Sequence, residues 1–251
     1  ILTTSGGGML ASANAALVAW QMLRAGHVPR AVVVGADVLT ATLVHGFESL
    51  MLLDAAGCRP FDRERKGIQL GEAAGAMVLE PLSDPAAGDA RPLLLGGAAR
   101  CDPYHMTASS PDGSGGAAVI EAACAAAGVA TTDIVDINAH GTGTPDNDQA
   151  EGRALVRVWG DAIPPFTSLK RTLGHTMGAA GIVELATFAG CLEAGFVPRS
   201  HGFATPDSEI GATPLTAPFP FRGGPVLLNY FGFGGNSVSL VVRMTAPGGA
   251  R

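Results

Sequence analysis

The sequence has few charged residues and no long apolar run, and both absences limit what the chain can do. Asp, Glu, Lys and Arg make up 15% of the 251 residues, and the formal net charge is −6. A nucleic-acid interface needs an excess of basic residues, so nucleic acid is not an expected partner. No apolar run approaches the roughly 18 residues that a membrane-spanning helix requires, so no membrane partner is expected either.

Cysteine is also scarce. The four cysteines, Cys58, Cys101, Cys124 and Cys191, are widely separated, and no two of them form a CxxC pair. This spacing argues against a zinc site and against a disulfide framework, so no metal is expected. A reducing, cytoplasmic setting fits this cysteine usage, and no secretory signal segment is recognised.

Small and apolar residues are abundant, with 35 glycines and an apolar share of 47%. Predicted helices and strands alternate along the chain, which indicates an α/β layered fold. Helices are predicted over residues 11–25, 41–53, 117–128, 146–159 and 176–195. Strands are predicted over residues 30–38, 73–82, 92–101, 134–140 and 166–170, with two more within 225–243.

Two of these stretches matter for the organisation of the chain. The strand RAVVVGADV at 30–38 is apolar throughout its centre, as expected of a strand that is buried on both faces. The turn-rich stretch SDPAAGDARP at 83–92 is the best internal boundary and divides the chain into residues 1–82 and 92–251. The stretch RTLGH at 171–175 is predicted to be a loop.

Three polar turns follow predicted strands, where α/β folds usually bind ligands: NAHGTGTPDND, SLKRTLGHTMGAAG and NYFGFGGNS. His140 is flanked by Gly141 and Gly143, so the main chain there can approach a ligand closely. His175 precedes a predicted helix, whose dipole favours a neutral imidazole. A neutral histidine can donate a hydrogen bond to a developing oxyanion. Any one of these turns alone is common, and it is the three together that favour a site.

The chain closely resembles the β-ketoacyl synthases, the condensing enzymes of fatty acid and polyketide assembly, which have the thiolase fold. Five stretches in the correct order are similar to that family's hallmark stretches: CRPFDRERKGIQLGEAAGAMVLE, YHMTASSPDGSG, NAHGTGTPDNDQAE, SLKRTLGHTMGAAGIVE and NYFGFGGNS. The resemblance implies an α/β fold with layers in the order α-β-α-β-α. It also implies an acyltransferase of the β-ketoacyl-[acyl carrier protein] synthase type.

The resemblance implies a catalytic role for several residues. His140 and His175 look like the two histidines that bind the malonyl thioester carbonyl and stabilise the enolate formed on decarboxylation. Lys170 looks like the family's lysine, with Glu184 as its partner, and an ion pair would make the burial of both tolerable. Asp148 and Glu151 match acidic positions that are expected to be structural.

The resemblance also implies how substrate is held. Thr142 and Thr144 look like the hydroxyls that bind the phosphopantetheine arm, and Phe233 matches a gating phenylalanine whose N–H forms half of an oxyanion hole. Gly234 and Gly235 are expected to take part in substrate binding. No resident cofactor is implied, because the phosphopantetheine arm belongs to an acyl carrier protein. The expected partners are that carrier protein and a second ketosynthase-type chain, in a homodimer or a heterodimer.

The chain departs from the family at the nucleophile. The stretch TTSGGGMLASANAALVAW places Met9 where the family has a cysteine, and none of the four cysteines lies nearby. A thioether has no proton to lose and cannot hold a transferable acyl group, so condensation by this chain alone is not expected. The two histidines do not need a thiolate for decarboxylation, which favours malonyl decarboxylation.

Three alternatives remain open at this point. The chain could be a non-catalytic partner of a cysteine-bearing synthase, similar to a chain-length factor, although such partners usually lack the histidines. It could be an inactivated family member in which Met9 is either introduced or natural. It could be an acyltransferase that uses Ser12, which flanks the nucleophile position together with Ser5.

A second departure concerns the first half of the fold, which is incomplete in this sequence while the second half is full. The chain begins at the helix that follows the nucleophile, so the strands that precede it in the family are missing. Sheets left with unpaired edges and exposed apolar faces are unfavourable in water. The missing segment is therefore expected on the same gene product or on a partner chain.

Overall fold

The computed structural model describes residues 8–82, here called the first half, and residues 91–246, the second half. Helices and strands alternate as predicted. The helices are α1 (Ala11–Arg24), α2 (Ala41–Ser49), α3 (Ser114–Ala127), α4 (Pro145–Trp159), α5 (Lys170–Leu173) and α6 (Ala180–Glu193). The strands are β1 (Ala31–Asp37), β2 (Ala73–Leu79), β3 (Leu93–Cys101), β4 (Asp136–Asn138), β5 (Phe166–Thr167), β6 (Phe196–Val197), β7 (Phe219–Pro220), β8 (Gly224–Phe231) and β9 (Asn236–Met244).

The local predictions were wrong at two places near the site. The helix predicted over 41–53 ends at Ser49, and Met51 has a φ of 55°, which is incompatible with a continuing helix. The predicted loop at 171–175 begins with the helical turn α5, because the N–H groups of Thr172 and Leu173 both donate to Leu169 O. The strand predicted over 166–170 therefore stops at Thr167, and Lys170 lies on a helix.

The sheets differ between the two halves. In the first half β1 and β2 form an antiparallel pair in register from Ala31–Leu79 to Asp37–Ala73. In the second half a mixed five-stranded sheet has the order β3-β9-β8-β4-β5, in which β4 is parallel to β5 and β8. A small third sheet contains only β6 and β7.

Helices α1 and α6 lie between the β1–β2 sheet and the five-stranded sheet. They cross closely, since a Cβ on Gly181 would lie 2.3 Å from Ala13 N. Glycines in the flanking strands allow the contact on both sides: a Cβ on Gly35 of β1 would meet Ser12 of α1, and one on Gly97 of β3 would meet Leu17. The core here also includes residues of β8, β9 and α6.

Helices α3 and α4 cover the other face of the five-stranded sheet, where their apolar side chains pack on Leu227 and Val241. The outer face of the β1–β2 sheet is bare: Val32, Val34 and Val78 are 64%, 63% and 58% exposed. The expectation that β1 is buried on both faces is thus wrong for the part of the chain that the structure describes. The described layers run β-α-β-α, which is four of the five layers expected.

Within residues 8–82 and 91–246, no helix combines the length and the apolar character needed to cross a bilayer.

Candidate functional site

The loop after β4 is held in place by two buried carboxylates on α4. Glu151 accepts hydrogen bonds from the N–H groups of His140 and Gly141, both at 2.8 Å. Asp148 accepts from Gly143 N–H at 3.1 Å and from Phe61 N–H at 2.7 Å. These contacts are the structural roles that the sequence predicts for the two acidic residues.

The pKa of both carboxyl groups is raised. Burial raises the pKa of Glu151 to about 7, although the N–H groups of Gly141 and His140 favour the ionised form. Burial also raises the pKa of Asp148, against the hydrogen bonds from the Phe61 and Gly143 N–H groups. Each carboxyl group therefore holds the main chain of this loop, and Asp148 also accepts from Thr142 Oγ1 at 3.5 Å and from Asn147 Nδ2 at 3.1 Å.

His175 is fixed by main-chain contacts from the first half. Its N–H donates to Gln69 O at 2.7 Å, and its C=O accepts from Gly71 N–H at 3.0 Å. The ring atom Nδ1 accepts from Met177 N–H at 3.1 Å, so the proton of the neutral ring lies on Nε2. Nε2 is buried and has no hydrogen-bond partner among the described residues.

The two histidines and the lysine lie together. The ring centroids of His140 and His175 are 5.3 Å apart, at an angle of 82°. Lys170 Nζ is 3.5 Å from His140 Nδ1, which can accept its hydrogen bond. The sequence therefore identified three groups that the fold brings into one cluster, from the loop after β4, from α5 and from the loop before α6.

Lys170 is paired with Glu184, as the resemblance implies. Lys170 Nζ donates to Glu184 Oε1, and both side chains are fully buried. Asn138 Nδ2 donates to the other oxygen of Glu184 at 3.1 Å. The carboxylate thus has a cation on one oxygen and an amide on the other, which makes its burial tolerable.

Both imidazoles are held neutral. Burial lowers the pKa of His140 well below 6.5, and the Lys170 ammonium and His175 lower it further. Burial and then Lys170 likewise lower the pKa of His175. With Nδ1 of each ring facing a donor, each Nε2 carries a proton that it can offer to an anionic oxygen.

A cavity of about 260 Å³ opens beside His140. One part of its wall is apolar and is formed by Phe47, Met51, Leu52, Ile68, Phe231 and Phe233. The other part is polar and includes Thr107, Ser109, Thr142, Thr144 and Asn147. The hydroxyls of Thr142 and Thr144 are 2.8 Å apart, so they form a single polar patch in the wall.

Phe233 projects from a glycine-rich turn and lines the cavity together with Gly232. Its ring stacks on Phe47 of α2 with a centroid distance of 6.0 Å. Gly234 has a φ of 77°, and a Cβ on Gly235 would lie 1.7 Å from Asp102 O. Gly234 and Gly235 shape the turn and are absent from the described cavity wall, and their role in substrate binding stays a prediction.

The turn Gly8–Leu10, which contains Met9, lies between the loops of His175 and Phe233. A Cβ on Gly178 would lie 3.6 Å from Gly8 O, and one on Gly232 would lie 3.1 Å from Leu10 Cγ. The main chain at Met9 thus stands where the resemblance places a nucleophile, at the entrance to α1. Ser5 lies outside the described residues.

The other candidate nucleophiles do not reach the cavity. Ser12 is 2% exposed, and its hydroxyl accepts from Ile182 N–H at 3.2 Å, so it caps α6. Burial raises the pKa of both Cys58 and Cys124 to about 11, which disfavours a thiolate. No cysteine of the described residues lines the cavity.

Sequence reasoning missed several residues that support the site. Asn229, within the stretch NYFGFGGNS, donates to Glu151 at 3.3 Å and accepts from Ser239 Oγ at 2.8 Å. Asn138 lies in another quoted stretch, two residues before His140. No local sequence pattern indicates a role for Phe47, because that role depends on the Phe233 ring, which is 186 positions away in the sequence.

Comparison with known proteins matches this geometry to a family. Residues 8–85 match the family model described as beta-ketoacyl synthase, N-terminal domain, and residues 93–204 match the C-terminal domain of the same synthases. The chain is 33% identical over 239 residues to 3-oxoacyl-[acyl-carrier-protein] synthase 2 of Mycobacterium tuberculosis H37Rv, covering 91% of this chain and 57% of that protein.

Solved structures give the same family and the thiolase fold. The ketosynthase ApeO of Xenorhabdus doucetiae, in complex with its chain length factor ApeC, is 33% identical with a TM-score of 0.83, covering 95% of this chain and 59% of that chain. A type II polyketide synthase complex of ketosynthase and acyl carrier protein, AntDE:AntF, is 26% identical with a TM-score of 0.88, covering 95% and 62%. The chain thus spans less than two thirds of the length of these relatives. With both domain models matched in order around one cluster of two histidines and a lysine, the chain belongs to the β-ketoacyl synthase family.

Proposed function

We propose that this chain acts on acyl-carrier-protein thioesters in fatty acid or polyketide biosynthesis, and that it decarboxylates malonyl groups. The observation that supports this proposal is the pair of neutral histidines beside a helix entrance that has methionine in place of a thiol; the Nε2–H of His175 has no partner among the described residues. Condensation would require an acyl group on the protein, and a methionine thioether cannot hold one.

The proposed step needs only hydrogen-bond donors. The carbonyl oxygen of the malonyl thioester accepts hydrogen bonds from His140 Nε2–H and His175 Nε2–H. The bond between the malonyl α-carbon and its carboxylate breaks, and CO₂ leaves. The electron pair forms the C=C bond of an enolate, whose oxygen the two donors stabilise. A proton from water then gives the acetyl thioester.

Other residues bind and orient the substrate in this proposal. Thr142 and Thr144 would hold the phosphopantetheine arm of the carrier protein, since their hydroxyls line the cavity together. Phe233 would act as the gate, and its N–H and that of Met9 would form an oxyanion hole. Burial keeps both rings neutral, the Lys170 ammonium lowers their pKa further, and Lys170 Nζ lies 3.5 Å from His140 Nδ1.

The first test supplies the purified protein with malonyl carrier protein and measures CO₂ release and acetyl carrier protein by mass spectrometry. We expect His140→Ala and His175→Ala each to reduce the rate about 10²–10³-fold, the usual effect of losing one oxyanion donor. His201→Ala removes an exposed imidazole outside the site and serves as the matched control. Wild-type rates in both site variants would contradict the proposal.

The rate should also stay constant as the pH falls through 6.5. Because burial holds the pKa of both histidines well below 6.5, the rings remain neutral donors where a free histidine would become protonated. An acid limb centred near 6.5 would show that a solvent-exposed histidine, outside this cluster, controls the rate.

A second candidate function is that of a non-catalytic partner of a cysteine-bearing synthase, similar to a chain-length factor. It is favoured by Met9 and by the similarity to the Xenorhabdus ketosynthase, which is in complex with its chain length factor. Activity only in a heterodimer with a cysteine-bearing chain would support it. A homodimer that releases CO₂ from malonyl carrier protein would contradict it.

A further inference from the structure

The loop between His175 and α6 is held by a carboxylate from the other half of the molecule. Asp37, the last residue of β1, accepts a hydrogen bond from Gly178 N–H at 2.9 Å through Oδ2. Its other oxygen accepts from Val38 N–H at 3.0 Å, so the carboxylate is fixed at both ends. The contact joins residues that are 141 positions apart in the sequence.

The peptide group next to this contact sets the proton position on His175. Met177 N–H donates to His175 Nδ1, and this bond is what places the ring proton on Nε2. Met177 has a φ of 46°, a left-handed conformation that is strained for a residue other than glycine. A strained residue of this kind persists only where the surrounding structure holds it.

The Met177 side chain packs with Phe47 and Ile68, and Asp37 holds the peptide that follows it. The remaining hydrogen bonds of the His175 segment with the first half go to main-chain atoms of Gln69 and Gly71. Those bonds fix the main chain of His175 itself and end two residues before the strained one. Gly178 follows Met177 directly, and its N–H has the Asp37 carboxylate as acceptor.

We infer that Asp37 is a positioning residue for His175: its bond to Gly178 holds the Met177 peptide in the orientation that keeps the His175 proton on Nε2. The kinetic part of this inference rests on the proposed decarboxylation, whereas the structural part does not. Asp37 is absent from the described cavity wall, so it acts through the peptide and not on substrate.

The test combines ring nitrogen chemical shifts with kinetics on the full chain. ¹⁵N-histidine labelling reports the tautomer of each of the 6 histidines, and His175→Gln assigns the signal. We expect wild type to show a single Nε2–H tautomer at His175. Asp37→Ala should give a mixture of tautomers and lower kcat about 10-fold or more, with KM little changed, since small misplacements of a donor have large effects.

Two further variants make the test specific. Asp37→Asn keeps an acceptor oxygen and should restore both readouts to within about twofold of wild type. Asp112→Ala removes an exposed carboxylate that accepts Ser114 N–H at the start of α3 and is absent from the described cavity wall, and it should leave both readouts unchanged. If Asp37→Ala does not fold, Asp37→Glu moves the acceptor by one methylene group and should show the same tautomer change in part.

The outcomes separate the two proposals. The inference is overturned if Asp37→Ala shows the same His175 ring shifts and the same kcat as the control Asp112→Ala. Unchanged ring shifts in a folded Asp37→Glu would also overturn it. If wild type releases no CO₂, the proposed function fails, while the tautomer measurement still decides the role of Asp37.

Discussion

The antiparallel pair β1–β2 of the first half and the pair β8–β9 of the second half have the same local geometry in different surroundings. Each pair packs one face on the layer of α1 and α6. The pair β8–β9 is flanked by β3 and β4 and covered by α3 and α4, whereas β1–β2 has no such neighbours among the described residues. Exposure follows this difference: alternate residues of β1 are exposed, while the last six of β8 are all buried.

The sequences of the two pairs do not show this difference. The segment AVVVGAD of β1 is as apolar as a strand buried on both faces, yet Val32 and Val34 lie on a bare face. The apolar composition of β1 is thus typical of a strand that is covered on both faces, whereas the described residues cover only one. The expectation that a further segment or a partner chain covers this face stays a prediction, and the variants below can break or sharpen the comparison.

The largest effect is expected at the buried ion pair of the second half. Glu184→Ala leaves the Lys170 ammonium buried without its partner, and we expect a loss of about 3–5 kcal/mol in the free energy of unfolding, measured with urea. Glu184→Gln keeps the volume and one acceptor and should lose less. A cost below about 1 kcal/mol for Glu184→Ala would mean that the pair is hydrated.

A valine from each pair gives the next largest effect. Val241→Ala in β9 removes two methyl groups from the core and should lower the free energy of unfolding by about 2 kcal/mol. Val34→Ala in β1 should lower it by less than about 0.5 kcal/mol, because its side chain is exposed. An equal cost at both positions would show that something covers the β1–β2 face in solution.

A carboxyl group of the second half should make stability depend on pH. Asp136 starts β4, is 3% exposed and has no partner for Oδ1 among the described residues, and burial raises its pKa to about 7. Between about pH 4 and 7 the folded protein keeps a proton that the unfolded chain has released, so stability falls as the pH rises. Asp136→Asn should therefore be more stable than wild type at pH 8, by about 1–3 kcal/mol, with a smaller gap at pH 5.

Asp62 of the first half provides the opposite case. Burial acts to raise its pKa, but hydrogen bonds from the N–H groups of Thr205, Ala204 and Glu64 outweigh it and lower the pKa. Its contribution to stability is present above the unfolded pKa and is lost as the pH falls through the folded pKa. Asp62→Asn should therefore destabilise the protein at pH 7, and a gain in stability at pH 8 similar to that of Asp136→Asn would contradict this assignment.

A small effect is also expected at the exposed ion pair of the first half. Arg30 and Glu80 lie 2.5 Å apart at the end of the β1–β2 sheet, with side chains 65% and 43% exposed. Arg30→Ala should change the free energy of unfolding by less than about 1 kcal/mol, and 1 M salt should reduce the difference further. A larger, salt-resistant change would again indicate a covered first half.

The sequence predicted the reactive groups better than it predicted their supports. His140, Lys170 and His175 stand in distinctive stretches at strand ends, where a local pattern contains the signal. The bonds of His175 to Gln69 and Gly71, and of Gly178 to Asp37, join distant parts of the chain, and no local pattern reports them. The helical turn at Lys170 was missed for a related reason, since a single turn of four residues has no periodicity to detect.

The attachment of His175 to the first half has a consequence for exchanging halves between relatives. Because Gln69 and Gly71 hold it through main-chain atoms, replacing the Gln69 side chain leaves both bonds available. Gly71 is different, since a Cβ there would lie 2.5 Å from Leu173 O. A chimera can therefore take its first half from a divergent donor and still seat the imidazole, provided that the donor has glycine at position 71 and an acceptor equivalent to Asp37 at the end of β1.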